Sequence, residues 1–228
     1  MQCFFCYGKI IFDKMIKGLL MNDKFFDLKK EKQDRMINGA LKIFAQNGYQ
    51  KASTDDIVKE AGISKGLLFH YFGSKAGLYD FVYEYSSRYL AMELKRAVSL
   101  RETDLFVLLT QVEAAKNVLF RNYPYMQKFL LTSYDLPDED MKAKTEEYNE
   151  LVKAAMDEVT GRADESRLVA DVDSALLVRS MEYVTRGLME IALNKGMDPD
   201  MVYEEAAAYY DMMRVKFTKP EFLEDDLL

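Results

Sequence analysis

Residues 53–75 read STDDIVKEAGISKGLLFHYFGSK. This run predicts two short helices, over residues 54–61 and from Ser64 to about residue 72, that are joined by a tight turn at Gly62. Glycine suits the turn because it adopts the left-handed backbone conformation without steric cost, and Ser64 is a preferred N-cap residue. Two capped helices joined in this way are typical of a helix-turn-helix, whose second helix can enter the major groove of DNA.

Helical periodicity continues on both sides of this run. A helix over residues 28–46 precedes it, with Asn47-Gly48 as its left-handed stop, and a long helix follows from Lys75 to about residue 100. No alternating run is long enough for a sheet, and no segment reaches the ~18 consecutive apolar residues of a membrane span. The sequence therefore predicts an all-α fold. The remaining helices are predicted at 103–122, 124–135, 138–160, 167–194 and 199–217.

Charge is distributed unevenly along the chain. The formal net charge is −7, which by itself argues against a nucleic-acid partner. Residues 29–75, however, hold nine basic and five acidic side chains, whereas residues 76–228 hold 18 basic and 30 acidic ones. This split favours a DNA-facing module attached to an acidic body that repels DNA, and chance variation of the surface is the alternative.

Two cysteines, Cys3 and Cys6, lie at the start of the chain. A structural zinc site normally needs four ligands, and the only histidine, His70, is far along the sequence, so we interpret the pair as incidental reduced thiols. We predict no metal and no cofactor. Charged residues interrupt the apolar leader and no small-residue cleavage site follows, so we expect a cytoplasmic protein without a signal peptide. Met21 is our candidate for the native start.

The run from Ser53 to Lys75 resembles the signature of the TetR family of transcriptional regulators, and the resemblance covers roughly residues 30–80. It implies an amino-terminal three-helix DNA-binding domain with a helix-turn-helix, followed by a larger helical domain for ligand binding and dimerisation. We expect the domains to be a leader that is disordered or not native at 1–27, the DNA-binding domain at 28–75 with its motif at 53–72, the helical effector-binding and dimerisation domain at 76–219, and an acidic tail at 220–228.

The resemblance also assigns candidate DNA contacts. By position, Lys65 and Gly66 are placed for base edges, and the hydroxyl and amide groups near Thr54 are placed for a phosphate. Each candidate has a structural alternative, as an N-cap, a solvated side chain or a tolerated glycine. The full set is Thr54, Ser64, Lys65, Gly66, Leu67, His70, Tyr71 and Lys75.

The chain departs from the commonest family pattern at four positions, and at two of them, Gly73 and Gly77, glycine replaces residues that are often charged or better helix formers. Leu67 stands where a hydroxyl residue is frequent, and Phe69 stands where tyrosine is frequent, so a polar DNA contact can be missing at each. Leu67 can instead touch a thymine methyl group. Gly77 lies inside the fourth helix, where glycine costs ~1 kcal/mol relative to alanine, so we expect a soft start to that helix.

The family resemblance places a ligand pocket among the helices of the body. Methionine and aromatic side chains make an adaptable apolar interior, which favours a hydrophobic or amphipathic effector. A solid core that binds nothing is the alternative for the same residues. The candidates are Phe106, Leu109, Phe120, Tyr123, Met126, Phe129, Met156, Met181 and Met189.

The resemblance also implies that the last two helices pair with a second subunit as a four-helix bundle. The helix predicted at 167–194 carries apolar groups on more than one face, which is more than a single packing partner requires. An ordinary monomer core is the alternative. The candidates for the dimer interface are Leu176, Val184, Leu188, Ile191, Ala206, Ala207, Tyr210 and Met213.

The sequence carries none of the enzyme motifs that we sought. It contains no H-E-x-x-H, G-x-S-x-G or Walker-type run, and its one histidine belongs to the helix-turn-helix. We therefore expect no enzyme, but a ligand-responsive repressor that binds a pseudo-palindromic DNA operator as a homodimer and is released by a small hydrophobic effector. The alternative is a helical ligand-binding or adaptor protein without specific DNA binding.

Overall fold

The computed structural model of the chain describes residues 23–131, 136 and 139–223. Within this part of the chain there are α-helices but no named β-strand, and Leu168 and Thr218 form an isolated bridge. The predicted all-α fold is confirmed. The helices are α1 (Lys30–Lys51), α2 (Thr54–Ala61), α3 (Lys65–Phe72), α4 (Lys75–Ala97), α5 (Leu105–Asn122), α6 (Met126–Leu131), α7 (Glu139–Thr160), α8 (Ser174–Lys195) and α9 (Pro199–Phe217).

Several sequence predictions fall on residues outside this part of the chain. The cysteine pair, the proposed start at Met21 and most of the acidic tail are among them. At the tail, only Pro220–Phe222, which forms a single 3-10 turn, and the next residue are described.

Helix α1 is interrupted where the sequence predicts its stop. Gly48 has φ 68° and ψ 171°, a conformation that favours glycine, inside the helix that otherwise extends from Lys30 to Lys51. Most of the buried side chains of α1 are apolar, and Gln33 is buried with them, its amide donating to two carbonyl oxygens at 3.0 and 2.8 Å. The amide thereby joins α1 to the turn that precedes it.

Helix α8 begins later than the sequence predicts. We expected a helix from residue 167, but α8 starts at Ser174, where the Asp173 side chain accepts the Leu176 N–H at 2.9 Å. Asp171 adopts a positive φ of 66°, which a helix cannot accommodate. The preceding segment instead pairs with the end of α9, through the Val169 N–H and the Phe217 carbonyl oxygen at 2.9 Å.

The helices group into two compact units. The first comprises residues up to Met92 together with Val118–Lys153, and the second comprises Glu93–Asn117 and Ala154–Leu228. Helices α4, α5 and α7 each contribute residues to both units. These units are defined by contacts within the fold, and the domain limits that we inferred from the sequence stay a prediction.

The first unit has an aromatic core. Phe25, Phe44, Tyr79 and Phe129 are buried in it, and Tyr79 lies edge-on to Phe44 and to Phe129 at ring distances of 5.1 and 5.2 Å. Edge-to-face pairs of this kind stabilise a core beyond the area they bury. Burial raises the pKa of Tyr79, as expected for a phenol in an apolar environment.

Residues at the end of the predicted leader belong to this core. Asp23–Asp27 form a 3-10 helix, and the ring of Phe25 is fully buried against Phe72 and Phe81, at ring distances of 5.4 and 4.9 Å. Residues 23–27, which we assigned to the leader, therefore contribute to the core of the first unit. Sequence periodicity did not reveal this, because Phe25 packs against residues far along the chain.

The second unit has a separate apolar core that is closed by a polar cluster. The buried carboxylate of Asp104 accepts from Arg214 Nε at 2.9 Å and lies 3.3 Å from Arg167 Nη2. The hydroxyl of Tyr210 donates to Glu113 Oε1 at 3.1 Å, and burial together with this carboxylate raises the pKa of Tyr210. The core residues are Leu105, Phe106, Leu109, Leu168, Leu177, Met181 and Tyr210.

Candidate DNA-binding surface

Helices α2 and α3 form the predicted helix-turn-helix. Ser53 caps α2 by accepting the Asp55 N–H at 3.1 Å, and Ser64 caps α3 by accepting the Leu67 N–H at 3.2 Å. Gly62 ends α2 in the left-handed conformation, with φ 62° and ψ 44°. The caps satisfy amide groups that would otherwise lack acceptors, so each helix has a defined first turn despite its length of eight residues.

The crossing of α1 and α2 holds this motif in place. A Cβ atom built on Gly39 of α1 would lie 3.0 Å from both the Cβ and the backbone nitrogen of Ala61. Ala61 is itself almost fully buried. The two helices therefore approach more closely than any larger pair of residues would allow.

The recognition helix α3 has one outward face and one inward face. Lys65, Gly66, Phe69 and His70 are exposed, and their spacing of i, i+1, i+4 and i+5 places them side by side along the helix. Of the remaining residues of α3, Leu67 and Tyr71 are half-buried, and Leu68 and Phe72 are buried. The outward face is thus a continuous strip of two cationic or titratable groups, one aromatic ring and one bare stretch of backbone.

Phe69 is a candidate contact that our sequence reasoning omitted. Its ring is 37% exposed and lies between Lys65 and His70 on the outward face. The i+4 spacing from Lys65 was the signal that could have identified it. An exposed phenylalanine can pack against the methyl group of thymine in the major groove.

Two predicted DNA contacts, Leu67 and Tyr71, point toward the core side of α3. Both are half-buried and pack against the core of the first unit, and the Tyr71 ring lies 6.0 Å from that of Phe25. These packing contacts are structural, and a contact of either residue with DNA stays a prediction. Tyr71 also lies edge-on to His70 at 4.9 Å and so supports the imidazole ring.

Lys65, the predicted base contact, has an intramolecular partner. Its Nζ lies 2.8 Å from Asp55 Oδ1 at the start of α2, and both side chains are largely exposed. An ion pair in this setting is worth ~0–1 kcal/mol, so a DNA phosphate or a guanine edge can replace the carboxylate at small cost. Gly66 beside it has no heavy atom within 4 Å of a built Cβ, which leaves the backbone open to close approach.

The structure changes the role expected for Lys75. Its Nζ donates to the carbonyl oxygens of Tyr49, Gln50 and Ala52, at 2.9, 3.4 and 3.1 Å, and lies 4.5 Å from the centre of the Tyr49 ring. An ammonium group has three N–H donors, and all three have acceptors here. Lys75 therefore caps the carboxyl end of α1, where the helix dipole favours a cation, and its ammonium is not presented for a phosphate.

The start of α4 does not match the soft helix that we expected. The Ser74 side chain accepts the Gly77 N–H at 3.0 Å, and a Cβ on Gly77 would lie only 2.2 Å from the carbonyl oxygen of Phe72. The glycine is required by the tight passage from α3 into α4. Thr54, the remaining candidate, is the half-buried first residue of α2 and leaves the capping role to Ser53.

The predicted effector residues are divided between two cores. Phe106, Leu109 and Met181 are buried in the apolar core of the second unit, whereas Tyr123, Met126 and Phe129 are buried in that of the first. Phe120 and Met189 are also buried, and Met156 is half-buried. The chain therefore does not gather these residues into one cluster, and the apolar pocket stays a prediction.

The first unit also has a surface groove of about 480 Å³, most of whose lining residues are charged or carry an amide. It contains charged side chains, with Lys42 Nζ 2.7 Å from Glu60 Oε1, and shares no residue with the predicted effector pocket. The hydrogen bond to Glu60 raises the pKa of Lys42. The lining consists of Glu31, Asp34, Arg35, Asn38, Gly39, Lys42, Glu60, Pro124 and Tyr125.

The predicted dimer residues lie in three different environments. Leu176, Val184 and Ile191 are exposed on α8, and Ala207 and Met213 are half-buried on α9. Leu188, Ala206 and Tyr210 are instead buried within the second unit, so they are core residues and not surface residues, because α8 and α9 use these positions to pack inside the protomer. Exposed apolar residues that the sequence prediction omitted are Tyr183, Met201, Met212 and Val215.

Two features are absent from the described part of the chain. None of its helices is both long enough and apolar enough to cross a membrane. It also contains no group of three or more histidine, cysteine, aspartate or glutamate side chains arranged to hold a metal ion.

Comparison with known proteins agrees with the motif and with the fold. The family model described as bacterial regulatory proteins, tetR family, matches residues 36–81. Over 49 residues the chain is 51% identical to YuxN of Bacillus subtilis (strain 168), an uncharacterized HTH-type transcriptional regulator, and this match covers 22% of our chain and 17% of YuxN. The sequence match with this relative is thus confined to less than a fifth of its length.

Solved structures extend the likeness over most of the chain. The structure of PfmR, a TetR family transcriptional regulator from Thermus thermophilus, is similar with a TM-score of 0.59 and 24% identity, over 79% of this chain and 94% of PfmR. The structure of FadR from Bacillus subtilis in complex with stearoyl-CoA is similar with a TM-score of 0.52 and 14% identity, over 77% of this chain and 96% of FadR. At these identities the likeness concerns the fold.

The matching amino-terminal family model, the capped helix-turn-helix and the shared helical fold agree with one another. Residues 36–81 of this chain match the tetR family of bacterial regulatory proteins, and the helical fold is similar to that of solved TetR family regulators.

Proposed function

We propose that the chain binds DNA with the outward face of α3 and regulates transcription as a homodimer. The observation that supports this proposal is the exposed strip of Lys65, Gly66, Phe69 and His70 on a helix whose amino end is capped and open. Lysine can donate to the O6 and N7 atoms of guanine, and phenylalanine can contact a thymine methyl group. TetR-family regulators are typically repressors, and we propose repression here.

Two copies of α3 would read the two halves of a pseudo-palindromic operator. Recognition helices in such dimers lie one helical turn of DNA apart, ~34–36 Å. The second subunit would attach through α8 and α9. Both helices carry exposed apolar side chains, such as Leu176 and Ile191 on α8 and Met212 on α9. A surface of this kind on two neighbouring helices is typical of a protein interface.

The DNA test begins with selection of random duplexes by the purified protein. An enriched palindrome would then be used in gel-shift titrations with Lys65→Ala and, as a matched control, with Lys153→Ala, which removes an exposed lysine from α7. We expect Lys65→Ala to weaken binding by about 5- to 150-fold and the control to change it little. Failure to enrich any sequence, or equal losses in the two variants, would contradict the proposal and favour a ligand-binding or adaptor role.

We further propose a small hydrophobic or amphipathic effector that releases the DNA. Helix α4 begins three residues after the recognition helix, so a shift of α4 on ligand binding would change the position of α3. Because the similar FadR structure contains stearoyl-CoA, a long-chain acyl thioester is the first compound to test. We expect it to raise the melting temperature and to lower operator affinity, since the two ligands would oppose one another through one coupling free energy. Coenzyme A without the acyl chain is the control.

A further inference from the structure

The exposed charges of α8 and α9 have opposite signs. The exposed charged residues of α8 are all basic, namely Arg179, Arg186 and Lys195. Those of α9 are predominantly acidic, namely Asp200, Glu204, Glu205 and Asp211, with Lys216 as the exception. The two helices pack against each other within the second unit, so the contrast lies on adjacent helices of the protomer.

Two pairs of these charges have matching spacing. Arg179 and Arg186 are seven residues apart on α8, and Glu204 and Asp211 are seven residues apart on α9. Seven residues make two helical turns and ~10.5 Å, so each pair forms a short row along one side of its helix. The rows can therefore face one another whether the two helices run parallel or antiparallel. Within the described chain, none of these four side chains has an ion-pair partner of its own.

Exposed apolar residues accompany both rows. Leu176 and Tyr183 lie beside the basic row of α8, and Met201, Met212 and Val215 lie beside the acidic row of α9. An apolar strip flanked by charged residues is the arrangement by which paired helices select their partners, because the strip supplies affinity and the charges set the pairing.

A two-fold axis limits which helices can meet. If α8 of one subunit lay along α8 of the other, the arginine rows would approach each other, and the acidic rows of α9 would do the same. If α8 instead lies along α9 of the second subunit, each basic row meets an acidic row, and symmetry repeats the match. Two like charges that face each other destabilise the pairing by about as much as two opposite charges stabilise it.

We propose that the homodimer is held by cross-pairing, with α8 of one subunit against α9 of the other, and that the row Arg179 and Arg186 faces Glu204 and Asp211 of the partner subunit. The occupant of this surface is thus a second copy of the same chain. The inference rests on the proposed homodimer and specifies which helices pair and which charges select the partner.

Charge reversal of each row tests the pairing. The first variant combines Arg179→Glu with Arg186→Glu, and the second combines Glu204→Arg with Asp211→Arg. Cross-pairing would place like charges opposite each other in both variants, so at low salt we expect each to dissociate at least ~10-fold more readily than the unchanged protein in sedimentation experiments. A mixture of the two variants should form a stable heterodimer, because both of its cross-pairs are again opposite in charge.

A chain with all four substitutions provides the control for folding. It should recover the homodimer, yet it should not exchange subunits with the unchanged protein, because that heterodimer would have two like-charged cross-pairs. High salt should reduce these differences, since exposed charges are screened.

The possible failures are distinguishable. If the unchanged protein is monomeric at every concentration, the proposed homodimer itself is wrong. If it is dimeric and each single-row variant dimerises equally well, the homodimer stands and the cross-pairing is wrong, because pairing of like helices leaves the match of charges unaltered when one row is reversed.

Discussion

At the scale of single residues, the position of the helix-turn-helix depends on Gly39. The hydrogen that serves as its side chain faces the backbone of Ala61, where any Cβ would lie within 3.0–3.2 Å of three atoms. Backbone atoms cannot move aside as the end of a flexible side chain can, so the contact limits what this position tolerates.

We therefore predict that Gly39→Ala destabilises the protein by ~1–3 kcal/mol through overpacking, even though alanine favours helices. Gly66→Ala is the matched control for stability, because a Cβ there meets nothing within 4 Å. Urea denaturation should show a loss for Gly39→Ala and no loss for Gly66→Ala. Equal stability of the two variants would mean that α1 and α2 can separate without cost.

Glu93 is a second residue whose substitution should change the stability of the protein, since its side chain is only 1% exposed. Arg96 Nε lies 3.2 Å from Oε2, but no described residue donates a well-formed hydrogen bond to either oxygen. Burial raises the pKa of Glu93 and outweighs the opposite effect of Arg96. A raised pKa in the folded state means that this group favours folding at acidic pH and that the contribution is lost as pH rises through the folded pKa.

Glu93→Gln should consequently be more stable than the unchanged protein at neutral pH. The advantage should shrink as pH falls and disappear below about pH 4, where the glutamate is protonated in both states. Denaturation curves measured at a series of pH values test this, with Glu150→Gln as an exposed control on α7. A variant that is less stable at neutral pH would show that the Arg96 ion pair prevails over burial.

At the scale of helices, polar contacts join α1 to the turn between α5 and α6. The Tyr123 hydroxyl donates to Asp34 Oδ1 at 3.1 Å and lies 2.8 Å from the Tyr85 hydroxyl. The Asn38 side chain donates to the Asn122 carbonyl oxygen at 3.3 Å. These bonds lie within the first unit and connect the first helix of the helix-turn-helix region to residues more than 80 positions away.

Tyr123→Phe should lower the free energy of unfolding by ~1–3 kcal/mol, because it removes a buried hydroxyl that has two polar neighbours. Tyr125→Phe on the same turn is the control, since its hydroxyl is more exposed and accepts only a long bond of 3.4 Å from Gln46. Chemical denaturation followed by circular dichroism measures both. The interpretation fails if the two substitutions have the same effect.

At the scale of the whole molecule, the exposed apolar strip on α8 and α9 affects stability through association. Folding that is coupled to dimer formation depends on protein concentration by mass action. The strip includes Val184 and Ile191, whereas Leu100, which is 79% exposed, stands outside both helices.

We predict that the melting temperature of the unchanged protein rises over a roughly hundredfold increase in concentration. The double variant Val184→Glu and Ile191→Glu should lose this dependence, because charges on the strip would be buried without partners in the dimer. Leu100→Glu should retain it. Scanning calorimetry at several concentrations provides the measurement, and a concentration-independent melting temperature of the unchanged protein would contradict the homodimer.

The features that the sequence alone determined are local ones. Helices α2 and α3, their caps and the turn at Gly62 depend on residues within four positions of one another, so the run 53–75 was sufficient to predict them. The resemblance to the TetR family signature likewise followed from this run. The 3.6-residue period would also have placed Phe69 beside Lys65, had it been applied to α3.

Tertiary structure decided the features that depend on which helices meet. Lys75 bonds to carbonyl groups 23–26 positions earlier, Phe25 packs beneath α3, and Tyr210 points into its own protomer and not toward a partner. An apolar or charged side chain has the same local signature whether its neighbour is core, solvent or a second subunit. Only the packing of distant segments distinguishes these environments, because burial and hydrogen-bond partners are properties of the assembled helices.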